Sequence, residues 1–294
     1  MGKFSNILIA GSGFMGTHIA YLNALKTKAC VYVYDSCRLS LEKSQSTIKD
    51  IGLKAIAKGK LAQADFDDML GRLKYIDSLD KLKGLSIDLV IEAIVEDINV
   101  KGELFAKLDG LLPSECIFAS NTSSLSITQI ASFTKRSQNF VGMHFFSPAH
   151  VMKLVEIIPG LDTSRQTVED ISQFAVLLDK QVVLAQDFPG FITTRLGLVL
   201  INEAIYTLME GVSSKEEIDT AMKLGYNHPM GPLELADFIG LDICLNILNR
   251  LYTGYGDSKY RPCPLLKNYV ASNNLGRKTG RGFYDYRQVE KGGK

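Results

Sequence analysis

The hexapeptide Gly11-Ser12-Gly13-Phe14-Met15-Gly16 constrains the fold of this chain more than any other feature. It follows an apolar run, Asn6–Ala10 (NILIA), and opens a stretch of helical spacing from about Gly16 to Lys26. Strand, glycine turn and helix in that order fit the G-x-G-x-x-G arrangement of a dinucleotide-binding unit. Gly11 permits the sharp turn, Gly13 lets a pyrophosphate approach the backbone, and Gly16 lets the helix pack on the strand. The helix N-terminus adds free N–H groups and a partial positive charge. Glycines also mark turns for purely structural reasons, so the context decides. Cys30–Tyr34 (CVYVY) reads as the next strand and leads into Asp35, 19 residues beyond Gly16. A carboxylate there accepts both hydroxyls of an adenosine ribose and repels a 2′-phosphate, so NAD is expected in preference to NADP. Arg38 close by softens that preference.

The first half continues the alternation. Residues 87–94, Ile117–Ser120, Phe140–Phe145, and residues 153–158 and 181–185 read as further strands. Stretches such as 99–112 and 163–180 carry helical spacing between them. This pattern predicts an α/β, Rossmann-type, mostly parallel sheet covered by helices. Residues 39–83 are too long for one crossover and read as a polar, Lys-rich helical pair inserted after the second strand. Beyond Asp187-Phe188-Pro189-Gly190 the strand signal fades. Residues 191–209 are apolar on nearly all sides, Ser213 and Glu216 read as a helix cap, 233–251 as one long helix, and 252–264 as a loop. The expected domains are a nucleotide-binding Rossmann-type domain over 1–186 and an all-helical C-terminal domain over 187–294. At about 150 residues per domain, a 294-residue chain has room for both.

Charge narrows the partners. Lys and Arg total 33 against 32 Asp and Glu, a net +1 that lacks the basic excess of a nucleic-acid binder. No run approaches the ~18 apolar residues of a membrane helix. The N-terminus runs straight into a strand, so neither a signal peptide nor a membrane is expected, and the expected location is cytoplasmic. Five scattered cysteines without CxxC spacing predict small core residues in a reducing compartment, with neither a disulfide framework nor a metal site.

Four histidines limit the choice of a catalytic imidazole. His18 reads as packing or surface, and His150 and His228 lie beside prolines with no carboxylate pattern. His144 ends an apolar strand (FVGMHFF), and Glu156 lies on the next one (KLVEII), 12 residues later. Adjacent strands joined by a short loop bring such a pair within hydrogen-bond reach, which suits proton abstraction near neutral pH. A buried histidine satisfied by a backbone carbonyl is the competing reading, and the residues alone leave the two level. Ser120-Asn121-Thr122-Ser123-Ser124 follows a strand and reads either as a helix cap or as a holder of substrate oxygen or nicotinamide ribose. Glu96 and Lys101 read as lining the cofactor crevice or as a surface pair.

Beyond these residues, long motifs resemble the L-3-hydroxyacyl-CoA dehydrogenase family, in particular its stand-alone bacterial 3-hydroxybutyryl-CoA dehydrogenases. They are GSGFMG (11–16), IEAIVED (91–97), ASNTSSLSIT (119–128), GMHFFSPAHVMKLVEII (142–158), DFPGFITTR (187–195), PMGPLELADFIGLD (229–242) and GRKTGRGFYDY (276–286). The resemblance implies NAD-dependent, reversible oxidation of a (S)-3-hydroxyacyl-CoA to a 3-oxoacyl-CoA. His144 and Glu156 are the implied catalytic pair, with Ser123 near the substrate oxygen and the nicotinamide. The implied cofactor contacts are Gly11, Ser12, Gly13, Phe14, Met15, Gly16, Asp35, Glu96, Lys101, Ser123, Ser147 and Lys278. The inserted helical pair matches a segment that helps hold coenzyme A, with Lys58 as a phosphate contact. Relatives usually carry an active-site Asn where this chain has Thr194, a shorter side chain with one donor instead of two. An acyl-CoA substrate and a homodimer through the C-terminal helical domain are the implied partners. The rival readings are a dehydrogenase of a free hydroxy acid on the same fold and a non-catalytic nucleotide-binding or structural homologue.

Overall fold

Apolar runs buried on both faces build the sheet. Strand β1 (Asn6–Ala10) is buried from Ile7 onward, and β4 (Leu89–Glu92) and β5 (Ile117–Ser120) are buried along their whole length. Continuous burial of this kind belongs to central parallel strands covered by helices on each face. β2 (Cys30–Tyr34) lies one place further out and buries Val31 and Val33 more deeply than their neighbours. The structure is a computed structural model that describes residues 3–287. It divides into two compact units, one ending at Phe188 and the other beginning at Pro189.

In the first unit the remaining strands are β3 (Leu73–Ile76), β6 (Phe140–Phe145), β7 (Leu154–Pro159) and β8 (Gln181–Leu184). They form one eight-stranded sheet in the order β3-β2-β1-β4-β5-β6-β7-β8. Pairing is parallel throughout except between β6 and β7, which run antiparallel. The short 146–153 connection explains the exception, because a parallel neighbour would need a full crossover. The crossovers are α1 (Phe14–Lys26), α2 (Arg38–Ala57) with α3 (Gln63–Arg72), α4 (Ile98–Asp109), the short α5 (Ile127–Ala131) and α6 (Arg165–Leu177). The strand order reverses between β1 and β4. The carboxyl ends of those two strands therefore form the crevice where open α/β sheets take their ligands.

The 39–83 segment corrects the expectation of a helical pair alone. Its two helices lead into β3, which pairs with β2 at the sheet edge, so the segment is a long crossover between neighbouring strands. A four-residue strand whose inner positions are only Leu73 and Ile76 carries too little alternation to be read from sequence.

The second unit is built from α7 (Thr193–Met209), α8 (Lys215–Gly225), α9 (Pro232–Ile239), α10 (Leu241–Tyr255) and α11 (Pro264–Ala271). Leu198, Ile201, Ile205, Leu233, Leu241, Leu248 and Leu266 form its core. Three sequence expectations shift here. Ser214 with Glu217, not Ser213 with Glu216, makes the capping box of α8. The 233–251 helix is two helices, divided at Gly240, whose φ of +106° a side chain rarely adopts. The second of them reaches Tyr255, into the expected loop, and stops at left-handed Gly256. The C-terminal GRGFYDY motif is held by buried carboxylates: Asp237 accepts from the Phe283 and Tyr284 amides, and Asp219 from the Tyr284 hydroxyl. Among the described residues, no helix is long and apolar enough to cross a membrane.

His18 is buried in α1 with its ring edge-on to His150, and its Nδ1 has no hydrogen-bond partner within the protein. Burial, followed by the nearby His150, lowers its pKa from 6.5 to about 4. Between those values the unfolded chain binds a proton that the folded chain refuses. The stability is therefore complete above about pH 6.5 and declines as pH falls through about 4, by on the order of 2–3 kcal/mol. Urea unfolding across that range should show the decline in the native protein and a shallower one in His18→Asn. Equal slopes would contradict it.

Candidate functional site at the carboxyl edge of the sheet

The glycine loop joins β1 to α1. Gly11 takes φ +105°, and a Cβ there would lie 2.5 Å from the Ala93 carbonyl oxygen. A Cβ on Gly16 would lie 1.9 Å from the Gly11 carbonyl oxygen, so both positions require glycine for packing. Gly13 differs: a Cβ there meets nothing within 4 Å, so its glycine leaves open space above the loop. Gly13 also caps α1 with no side chain of its own to occupy the N–H groups of the first turn. The neighbouring acid is fixed in place. Asp35 Oδ2 accepts from the Ser12 amide at 2.9 Å and the Ser12 hydroxyl at 2.8 Å, and Oδ1 accepts from the Cys37 amide at 2.9 Å. Arg38 is turned to Glu42 (3.1 Å). Phe14 is exposed and Met15 half-buried at the rim. An open cradle over a helix N-terminus, with a fixed carboxylate beside it, fits a dinucleotide. Gly16→Ala should lower stability by about 1–3 kcal/mol through this overpacking, and an unchanged urea midpoint would contradict the reading.

The next cluster lies at the ends of β4 and β5. Glu92, fully buried, accepts from Lys101 Nζ at 2.5 Å and the Ile94 amide at 2.7 Å on Oε1, and from the Ser120 hydroxyl at 2.6 Å on Oε2. Lys101 projects from the first turns of α4, which Asp97 caps, and its Nζ also lies 3.3 Å from Glu96 Oε2. Glu96 Oε1 in turn accepts from the Thr122 hydroxyl (2.6 Å), the Ser123 amide (3.1 Å) and the Ser124 hydroxyl (3.2 Å), and faces Ser123 Oγ at 3.4 Å. Lys101 is 1% exposed, so it is not part of an exposed surface pair, and its ammonium lies between two carboxylates. Glu96 and Ser123 are the half-buried members that face outward.

Beside this cluster, the β6–β7 register sets His144 opposite Glu156. His144 Nδ1 and Glu156 Oε2 are 2.8 Å apart, with the carboxylate fully buried and the imidazole 7% exposed. Asn121 Oδ1 accepts from the Phe145 amide at 2.8 Å and ties the serine-rich loop to the end of the histidine strand. The structure thus brings together the glycine loop, Asp35, Glu96, Lys101, Ser123, His144 and Glu156 along one sheet edge. Ser147 is exposed in the loop after β6, and Lys58 is exposed at the C-terminal end of α2. Thr194 (half-buried in the first turn of α7) and Lys278 (paired with Asp242 at 2.5 Å) belong to the second unit. Two residues of this edge have roles that spacing does not reveal, Glu92 reading in sequence only as an acid that flanks, with Glu96, the end of a strand. Glu92 is the hub of the buried cluster, and Asp187 accepts from the Ser126 hydroxyl and the Ile127 and Thr128 amides, capping α5 from about 60 residues away in sequence. Among the described residues, no group of three His, Cys, Asp or Glu side chains is placed to hold a metal ion.

Two family models account for almost the whole chain. Residues 6–188 match the 3-hydroxyacyl-CoA dehydrogenase NAD binding domain, and residues 190–286 match the 3-hydroxyacyl-CoA dehydrogenase C-terminal domain. The chain belongs to the 3-hydroxyacyl-CoA dehydrogenase family. It is 47% identical to a probable 3-hydroxybutyryl-CoA dehydrogenase of Bacillus subtilis, over 97% of this chain and 99% of that protein. It is 42% identical to the human mitochondrial hydroxyacyl-coenzyme A dehydrogenase, over 96% of this chain and 91% of the relative. The crystal structure of (S)-3-hydroxybutyryl-CoA dehydrogenase from Ralstonia eutropha superposes with a TM-score of 0.93 at 43% identity, covering 97% of this chain and 99% of that one. Membership in this family makes the protein an oxidoreductase acting on a CH–OH group, with a Rossmann-type NAD-binding domain followed by a helical one.

Proposed function

We propose that this protein interconverts (S)-3-hydroxyacyl-CoA and 3-oxoacyl-CoA, with 3-hydroxybutyryl-CoA as its principal substrate and NAD as its cofactor. The observation that carries this reading is the buried His144–Glu156 pair at the sheet edge that also holds the glycine loop. A carboxylate on Nδ1 fixes the tautomer that leaves Nε2 as a proton acceptor, and it stabilises the imidazolium once the proton has arrived. In oxidation, Nε2 of His144 takes the proton of the substrate hydroxyl. In reduction, the imidazolium returns it to the developing alkoxide. The Ser123 hydroxyl, held next to Glu96, positions the substrate oxygen. When bound, the nicotinamide supplies the hydride chemistry, and the protein contributes geometry and charge placement.

The open cradle over Gly13 and the N-terminus of α1 take the pyrophosphate, and Asp35 takes the adenosine ribose. Glu96 and Ser147 complete the cofactor contacts of the first unit. The Asp35 carboxylate, which repels a 2′-phosphate, and the engagement of Arg38 by Glu42 support NAD over NADP. Lys58 and the α2–α3 pair are assigned to the phosphates of coenzyme A. A homodimer through the second unit accompanies this reading, because Leu196, Leu224 and Tyr226 expose 65, 82 and 74% of their surface. Purified protein supplied with acetoacetyl-CoA should consume NADH at least about tenfold faster than NADPH at equal concentration. Equal rates with the two nucleotides would overturn the role of Asp35.

A further inference from the structure

The buried cluster beneath the serine-rich loop contains more charge than a structural anchor needs. One carboxylate and one ammonium are taken out of water and a second carboxylate is drawn part of the way: Glu92 is fully buried, Lys101 is 1% exposed, and Glu96 is half-buried above them. Removing ions from water is costly unless each finds a partner, and an apolar packing of the same volume is often as stable. Every polar contact recorded for Glu92 faces inward: Lys101 and the Ile94 amide on Oε1, the Ser120 hydroxyl on Oε2. Those of Glu96 include the hydroxyls and amide of residues 122–124. Lys101 joins the two. It is closer to Glu92 (2.5 Å) than to Glu96 (3.3 Å), so the buried carboxylate holds the ammonium back from the outer one.

We propose that Glu92 is a positioning residue for the dehydrogenase reaction: by holding Lys101 in the interior, it keeps the Glu96 carboxylate turned toward Thr122, Ser123 and Ser124. Loss of its charge leaves Glu96, among the described residues, as the remaining anionic partner of Lys101. The ammonium then draws Glu96 inward and off the loop, and the Ser123 hydroxyl loses its fixed orientation. Removal of Lys101 instead leaves the buried Glu92 carboxylate without its counter-ion and takes away the positive charge that lay between it and Glu96, which is worse. Removal of both the Glu92 charge and Lys101 takes away the pull toward the interior and leaves Glu96 held by the loop donors of residues 122–124.

The inference rests on the proposed dehydrogenase reading, and a four-variant cycle tests it: wild type, Glu92→Gln, Lys101→Met and the double variant. Each is assayed for kcat and KM with acetoacetyl-CoA and NADH, and for NADH affinity by nucleotide fluorescence. Glu92→Gln should lower kcat about tenfold and weaken NADH about tenfold while changing the acetoacetyl-CoA KM less than about threefold. Lys101→Met should lose more. The double variant should recover both quantities to within about threefold of wild type, a strongly non-additive result that a merely structural role does not produce. Additive losses in the double variant, or a wild-type kcat in Glu92→Gln, would overturn the proposal. If Glu92→Gln does not fold, the double variant carries the test: recovery supports the proposal, and failure of both to fold shows that Glu92 serves stability alone. A wild-type protein that binds NADH without reducing acetoacetyl-CoA contradicts the substrate reading, and the NADH constants still decide the role of Glu92.

Discussion

His144→Gln should reduce kcat by about 10³-fold or more while leaving the NADH dissociation constant within about threefold of wild type. Glutamine approximates the reach of imidazole and keeps an amide in the pocket, but it has no titratable nitrogen to take or return the substrate proton. The side chain sits at the end of β6, some distance along the sheet edge from the cradle formed by β1 and α1, so nucleotide affinity has no reason to follow the loss. Steady-state turnover of acetoacetyl-CoA, measured beside fluorescence titration with NADH, checks both halves. Near-wild-type turnover would remove His144 from the chemistry, and a parallel loss of NADH binding would recast the residue as structural.

Glu156→Gln is the second large effect, with an expected fall in kcat of about 10²–10⁴-fold. The carboxylate is fully buried and its Oε2 lies 2.8 Å from His144 Nδ1. A carboxamide whose NH₂ faces Nδ1 forces the proton onto Nε2, the nitrogen that must be free in oxidation. Turned the other way it keeps the tautomer but forfeits the charge that stabilises imidazolium. Both outcomes disable the same step, so the double variant with His144→Gln should be little slower than His144→Gln alone. Losses that multiply in the double variant would show that the two side chains act separately.

The pairing of these residues was legible because the connection between their strands is short. An eight-residue link cannot support a parallel crossover, so the second strand turns back and the histidine meets the acid across the ladder. The glycine loop was equally legible, since Gly11 and Gly16 answer to local backbone geometry. Glu92 was not. A carboxylate closing an apolar strand looks like any strand end, and its partners come from a helix nine residues on and a strand 28 residues on. Asp187 escaped for the same reason, its targets in α5 lying about 60 residues back. In the second unit the shift from Ser213 to Ser214 follows from adjacent serines each standing three residues before a glutamate. Only the backbone direction of the incoming chain chooses between them. Gly240 broke an apparently continuous apolar helix because periodicity carries no record of φ, and β3 was too short to declare itself.

In the proposed reaction the substrate is a coenzyme A thioester whose C3 oxygen meets His144. The most direct measurement compares NADH consumption with acetoacetyl-CoA and with free acetoacetate under the same conditions. The kcat/KM for the thioester should exceed that for the free acid by at least about 10³-fold, since remote binding energy from coenzyme A is used at the reacting centre. Comparable values for the two, or reduction of acetoacetate alone, would contradict it and place the protein among dehydrogenases of free hydroxy acids.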